Sequence, residues 1–149
     1  MSRSIHLTVA TIVMRNNHFL MVRETIDGKS VINQPAGHVE PGENIIDAAI
    51  RETYEETRWQ VKLTSFLGVY AYQPHTKDST YHRLCFVAEP VNLDSSSVLD
   101  PDIDEALWMT VEQIRHDSNE LRSPLVIKCI DDFLTGQFYP LELFRNKLS

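Results

Sequence analysis

Four charged residues at helical spacing dominate the chemistry open to this chain. Glu52, Glu55 and Glu56 stand at i, i+3 and i+4, and Arg51 lies one turn before Glu55. On a helix this spacing crowds three carboxylates onto one side, where each like-charge pair costs an isolated helix about 0.2–0.5 kcal/mol. Arg51 offsets part of that, and no basic cluster stands opposite. Taken alone, a charge run of this kind reads as a solvated helix face. The other reading is a missing cation. Carboxylate oxygens suit hard divalent metals, and Mg²⁺ is held through a few carboxylates plus substrate phosphates.

The stretch before the run shifts the balance. Gly37-His38-Val39-Glu40-Pro41-Gly42-Glu43 is a turn-rich loop with Pro41 and Gly42 at its bend. Asn44 is the expected N-cap of the helix, with Asp47 returning the capping bond, and Ile46, Ala49, Ile50 and Thr53 form its apolar side. Loop and helix together resemble the signature of the Nudix hydrolases, G-x5-E-x7-R-E-U-x-E-E-x-G-U, where U is apolar. Gly37, Glu43, Arg51, Glu52, Glu55 and Glu56 occupy its fixed positions, and Trp59 fills its last apolar one. Two positions depart from it. Thr53 stands at the first U, and Arg58 replaces the glycine that ends the helix in a left-handed turn.

The resemblance implies an α+β domain over residues 1–149, built as an α/β/α sandwich around a mixed β-sheet. It implies a hydrolase of phosphoric anhydrides that requires Mg²⁺, with Mn²⁺ able to substitute. The metal ligands it points to are the Gly37 carbonyl, Glu52, Glu55 and Glu56, with Arg51 beside them in the catalytic set. Glu43 is expected to hold Arg51 by a bidentate pair and Gly42 to shape the loop; direct contact with phosphate is the other role open to Arg51. Glu52 or Glu55 is the nearer candidate for the general base and Glu105 the distal one. The stretches Asn33-Gln34-Pro35-Ala36-Gly37-His38, Leu121-Arg122-Ser123-Pro124-Leu125-Val126 and Gly136-Gln137-Phe138-Tyr139-Pro140-Leu141-Glu142 are similar to those of NudJ-type phosphatases. That similarity implies nucleoside tri- and diphosphates as substrates, together with the pyrimidine pyrophosphate of thiamine synthesis (HMP-PP), and release of phosphate.

Other residues signal more weakly. Arg23 and His38 are candidates for binding substrate, against a solvated arginine and a loop histidine bonded to backbone. Tyr70, Tyr72, Tyr81 and His82 have rings that stack on a flat base, but aromatics on strands are more often core or cross-strand pairs. Glu40 is an extra carboxylate without a spacing argument.

Composition bounds the rest. A chain of 149 residues is large enough to bury a core of its own. A formal charge of −7 and a pI near 5.3 argue against a nucleic-acid partner. Met1–His6 carries no secretory signal, and no apolar run approaches the ~18 residues of a membrane helix, so no membrane partner is expected. Cys85 and Cys129 lie in apolar runs and read as buried thiols of a reducing, cytoplasmic compartment. A small-molecule phosphoanhydride is the expected partner, and a monomer is favoured over a homodimer.

The elements that must position the cluster follow from periodicity and turns. Strands are expected at His6–Met14 and Phe19–Val22 across the Asn16-Asn17 turn, with Arg23 and Glu24 closing the second. Val31–Ala36 runs extended into the signature. Val61–Gln73 supplies one or two strands broken at Gly68, Tyr81–Ala88 another, and Ala106–Met109 a short last one. Pro74–Thr80 and the acidic Asn92–Asp104 are expected as loops. Thr110–Gln113 fits a capping box, and Ser123-Pro124 opens a helix to Thr135 that Gly136 ends, with Val126, Ile130 and Phe133 as its buried stripe. Two alternatives stay open: a Nudix enzyme for oxidised nucleotides, dinucleoside polyphosphates or nucleotide sugars, and a non-catalytic nucleotide sensor. The three intact glutamates weigh against the sensor.

Overall fold

The computed structural model describes residues 4–149; Met1–Arg3, the start of the stretch judged free of a secretory signal, lie outside the described residues. Strand β1, Ser4–Arg15, turns through Asn16 and Asn17, both at positive φ, into β2, His18–Ile26. Asparagine tolerates that left-handed conformation, which a two-residue hairpin of matching twist requires. β3, Lys29–Asn33, and β4, Ala36–His38, lead to helix α1, Ile45–Thr57. Then come β5, Trp59–Tyr72, β6, Ser79–Leu93, and β7, Ile103–Met109, followed by α2, Val111–His116, and α3, Pro124–Thr135.

Neighbouring strands run β3-β2-β1-β6-β5, with β4 beside β1 and β7 beside β2. β1 and β6 are parallel from Ser4 with Ser79 to Val13 with Ala88, and the other pairings are antiparallel, so the sheet is mixed. Helices cover both faces. Val9, Val13, Leu20, Phe66 and Phe86 pack with Ala48 and Ala49 of α1. Ala10, Ile12, Met21 and Cys85 pack on the other face with Ile114 of α2 and Val126, Cys129 and Ile130 of α3. Burial on both sides explains why β1 alternates only in part: Thr8 to Val13 are all buried. The α/β/α layering is the one expected.

Several boundaries move. β2 continues through Arg23 and Glu24 to Ile26 because β3 and β7 pair with it there. β5 is one strand that passes Gly68, and its irregularities at Gln60/Val61, Leu63/Ser65 and Phe66/Gly68 are bulges against β6. β6 and β7 take residues from both flanking loops for the same reason: partner strands supply acceptors. The helix caps at Thr110 and Ser123 and the left-handed stop at Gly136 are as expected.

α1 differs in detail. Asn44 is its N-cap, but its side chain makes no cap bond and no capping box forms. Asn44 Oδ1 accepts instead from the Lys147 backbone N–H at 2.7 Å, as the C-terminal tail folds back over α1. The buried side is Ala48, Ala49, Thr53, Glu56 and Thr57, with Ile46 and Ile50 half-buried at its margin. The stripe is therefore rotated from the apolar one expected, and it buries a carboxylate.

Candidate active site

β4 is short because the chain must turn at Pro41 and Gly42 to enter α1, and Gly42 takes a positive φ of 81° there. Its three residues pair with β1, Ala10 with Ala36, Val9 with Gly37 and Thr8 with His38. This register alternates side chains, so Ala36 and His38 face the α2–α3 side and Gly37 faces α1. The carboxylate of Glu52 fills the space that a side chain at Gly37 would need: a Cβ there would lie 2.0 Å from Glu52 Oε2.

One turn along α1, Glu56 is buried and accepts from the Ala36 backbone N–H at 2.9 Å. Burial in this setting pushes its carboxyl up to about 9, and the nearby charges of Glu24, Glu52 and Asp100 add to the effect. Burial likewise raises Glu52 above the ordinary carboxylate range, against the opposing pull of Arg51. Glu55 sits at the rim, with its side chain 43% exposed.

Arg51 gathers the loop and the helix. It donates through Nε and Nη2 to both oxygens of Glu43, at 2.7 and 3.0 Å, the bidentate pair expected. Nη1 reaches Glu52 at 2.6 Å and Glu55 at 3.0 Å, Glu40 lies 3.4 Å from it, and Nη2 also donates to the His38 carbonyl. Its hydrogen bond to Arg51 holds Glu43 below the usual carboxylate range. Among the described residues no three acidic, cysteine or histidine groups converge as a closed metal site. The reason is visible: Glu52 and Glu55 turn to the Arg51 guanidinium, and Glu56 to a backbone N–H.

The two departures from the signature are accommodated. Thr53 is buried; its hydroxyl donates to the Ala49 carbonyl at 2.8 Å and so accepts from Thr11 of β1 at 2.7 Å. Arg58 adopts the left-handed conformation itself, at φ 63°, and its N–H still closes on Tyr54 O at 2.7 Å. Its Nη1 donates to the Ser97 carbonyl.

The remaining candidates lie elsewhere. Arg23 alternates to the face of β2 opposite Glu24, where it binds Ser30 and Glu120 and lies 3.7 Å from Glu105, its cross-strand neighbour. Glu105 is thus placed with Arg23 and not with the α1 carboxylates. The His38 imidazole points from the site toward His6, 3.0 Å away, which stacks on Tyr81. Burial and the His6 charge lower its pKa. Tyr70 donates to Asp132 of α3, a structural bond. Glu24 and Asp100 were missed, and no motif marks them. Glu24 reaches the cluster by strand alternation, and Asp100 is brought there by its N–H on the Glu55 carbonyl at 3.0 Å.

The NUDIX domain family model matches residues 5–129. The chain belongs to the Nudix family. Phosphatase NudJ of Escherichia coli (strain K12) is 40% identical over 141 residues, covering 95% of this chain and 91% of its own. A NUDIX hydrolase from Nitrosomonas europaea has the same fold with a TM-score of 0.92 and 36% identity, over 95% of this chain and 97% of that one. A more distant neighbour is a bifunctional NMN adenylyltransferase/ADP ribose pyrophosphatase from Francisella tularensis, complexed with AMP and a Mn ion. It matches 88% of this chain and 41% of its own at 23% identity and a TM-score of 0.61, which shows the fold alone. This Nudix protein is a hydrolase of pyrophosphate bonds, and its family acts on small phosphoanhydrides with divalent metals. No helix among the described residues is long and apolar enough to cross a membrane.

Proposed function

We propose that this Nudix protein is a Mg²⁺-dependent phosphatase of nucleoside tri- and diphosphates and of the pyrimidine pyrophosphate HMP-PP, releasing phosphate. The observation that carries the reading is the packing of Glu52 over Gly37 beside a buried Glu56, with Glu24 and Asp100 close by. So many desolvated carboxylates suit a hard cation, and the bare backbone at Gly37 lets the Glu52 carboxylate pack directly against it. The donor set fits the metal. Glu52, Glu55, Glu56 and the Gly37 carbonyl are the groups that would hold it, and Mn²⁺, present in a structural neighbour, would substitute. A divalent cation there neutralises charge on the phosphoryl oxygens and lowers the pKa of a bound water.

The chain's own groups do the rest. Arg51, which now holds Glu52 and Glu55 through Nη1, would stay anchored on Glu43 through Nε and Nη2 if those two carboxylates turned to a divalent cation. Glu55 is the most exposed of the three glutamates and has room to accept a proton from the attacking water. Glu105, already engaged near Arg23, is the more distant base. Arg23 and His38 remain substrate-binding candidates only for a part of the substrate that reaches beyond the cluster, since Arg23 faces Glu105 and Glu120 and His38 faces His6. Gly42 sets the bend from which Glu43 reaches Arg51. We read the protein as a cytoplasmic monomer without a nucleic-acid partner, supported by its two buried free cysteines and its net charge of −7.

The test is hydrolysis of a panel of nucleoside diphosphates, nucleoside triphosphates and HMP-PP, with phosphate and pyrophosphate assayed separately. Phosphate release that needs Mg²⁺ or Mn²⁺ and stops in excess EDTA supports the reading. Full turnover in EDTA, or pyrophosphate as the sole product, overturns it.

A further inference from the structure

A polyphosphate entering a ring of carboxylates needs fixed positive charge as well as a metal, and the basic residues near the cluster are mostly engaged. Arg51 is held through Nε and Nη2 on Glu43 and the His38 carbonyl, so a metal that drew Glu52 and Glu55 away would free only its Nη1, which still lies beside Glu40. Arg23 lies on the opposite face of β2 with Ser30, Glu105 and Glu120. Arg83 is buried on the side-chain oxygens of Gln34 and Asn33. Arg122 is different.

Its backbone is pinned. The Arg122 N–H donates to the Ile32 carbonyl at 2.8 Å, Leu121 bridges to Ile32 at the edge of β3, and Ser123 caps α3. From that edge the side chain crosses to the α1-facing side of β2, where Nη1 donates to Glu24 Oε2 at 2.8 Å. Glu24 is 8% exposed and near enough to Glu56 for its charge to be felt there. The Arg122 side chain is 39% exposed, and among the described residues only Nη1 has a protein acceptor. The guanidinium therefore keeps Nε and Nη2 without a protein acceptor among the described residues, beside a Glu24 whose charge reaches Glu56. A planar fork held by one carboxylate and open on its other edge matches a phosphate.

We propose that Arg122 is a substrate-binding residue: it grips a phosphate of the phosphoanhydride through Nε and Nη2 while Glu24, on Nη1, aims it. This rests on the phosphoanhydride reading of the site. The plainer role, a counter-ion that merely neutralises Glu24, predicts different behaviour. A counter-ion is replaced fully by lysine; a two-pronged phosphate clamp is not.

The full chain is compared as wild type, Arg122→Gln and Arg122→Lys, with Mg²⁺ present. Two quantities are read: KM and kcat for a nucleoside triphosphate, and the Kd of imidodiphosphate by calorimetry. Arg122→Gln is expected to raise both KM and Kd by roughly 10- to 100-fold, the loss of charged hydrogen bonds, with kcat changed much less. Arg122→Lys is expected to keep the wild-type Tm and recover only part of the affinity. Wild-type imidodiphosphate affinity in Arg122→Lys or in a folded Arg122→Gln overturns the proposal. If Arg122→Gln does not fold, Arg122→Lys decides alone. If wild type hydrolyses none of the panel, the phosphatase reading fails on that result, and the imidodiphosphate comparison still decides the role of Arg122.

Discussion

Gly37 and Glu52 are packed so closely that no side chain fits between them: a Cβ on Gly37 would lie 2.0 Å from Glu52 Oε2 and 2.2 Å from its carboxyl carbon. Gly37 takes an ordinary extended strand conformation opposite Val9, so its glycine is required by approach and not by backbone freedom. Gly37→Ala must therefore move Glu52. The expected outcome is a loss of kcat of about 10²-fold or more, as for other misplaced catalytic groups, with a weakened Mg²⁺ requirement curve. Steady-state kinetics against Mg²⁺ concentration checks it, and unchanged kcat would show that Glu52 tolerates displacement.

What the sequence disclosed and what it hid divide along physical lines. The family resemblance implied the pairing of Glu43 with Arg51, which the structure contains, whereas the packing of Glu52 against Gly37 was not foreseen. The capping residues at Thr110, Ser123 and Gly136 were legible because helix and loop geometry are local. Glu24, Asp100 and Arg122 were not. Arg122 and Glu24 are 98 residues apart, and only the edge of β3 brings them together. The missed capping box at Asn44 is another long-range effect, since its oxygen is claimed by Lys147. Glu56 was read as one of three carboxylates on an open face, but the α1 stripe rotates to bury it.

Arg58 holds a left-handed conformation that glycine adopts freely. Arg58→Gly removes about 0.5–1 kcal/mol of backbone strain but also loses the bond from Nη1 to Ser97 O, typically of the same size. The net change in stability is expected to stay within about 0.5 kcal/mol, with KM unchanged. Arg58→Ala keeps the strain and loses the bond, so it is expected to be the less stable of the two. Denaturant melts of both variants, with KM on the same preparations, separate a cap from a phosphate contact.

Glu43 is held below its ordinary pKa by the hydrogen bond from Arg51. A carboxylate whose folded pKa is depressed stabilises the fold above its unfolded value, near 4.5, and loses that contribution as pH falls through the folded value. Glu43→Gln is therefore expected to lower Tm at pH 7, with the difference from wild type shrinking in acid below about pH 4.5. It also frees Arg51, so kcat is expected to fall although Glu43 holds no metal. A Tm difference independent of pH would mean the pair contributes by shape and not by charge.

Glu56 gives the sharpest test, because activity and stability should move in opposite directions. Glu56→Gln keeps an oxygen to accept from the Ala36 N–H but removes a charge that burial disfavours. Its raised folded pKa of about 9 means that the wild-type protonated carboxyl is compatible with folding at low pH. As pH rises from about 4.5 toward 9, the unfolded chain ionises more readily than the folded one, and metal-free wild type loses stability. Glutamine does not titrate, so in excess EDTA the variant is expected to match wild type near pH 5 and to exceed it in Tm near pH 8.5. With saturating Mg²⁺ the same variant lacks the negative charge that would hold the metal. Its kcat is expected to fall on the order of 10²–10⁴-fold, roughly 3–5 kcal/mol of barrier. A variant retaining more than about a tenth of wild-type kcat would leave Glu52 and Glu55 as the principal metal ligands. A Tm gap that does not widen with pH would instead show that Glu56 is already ionised in the metal-free fold.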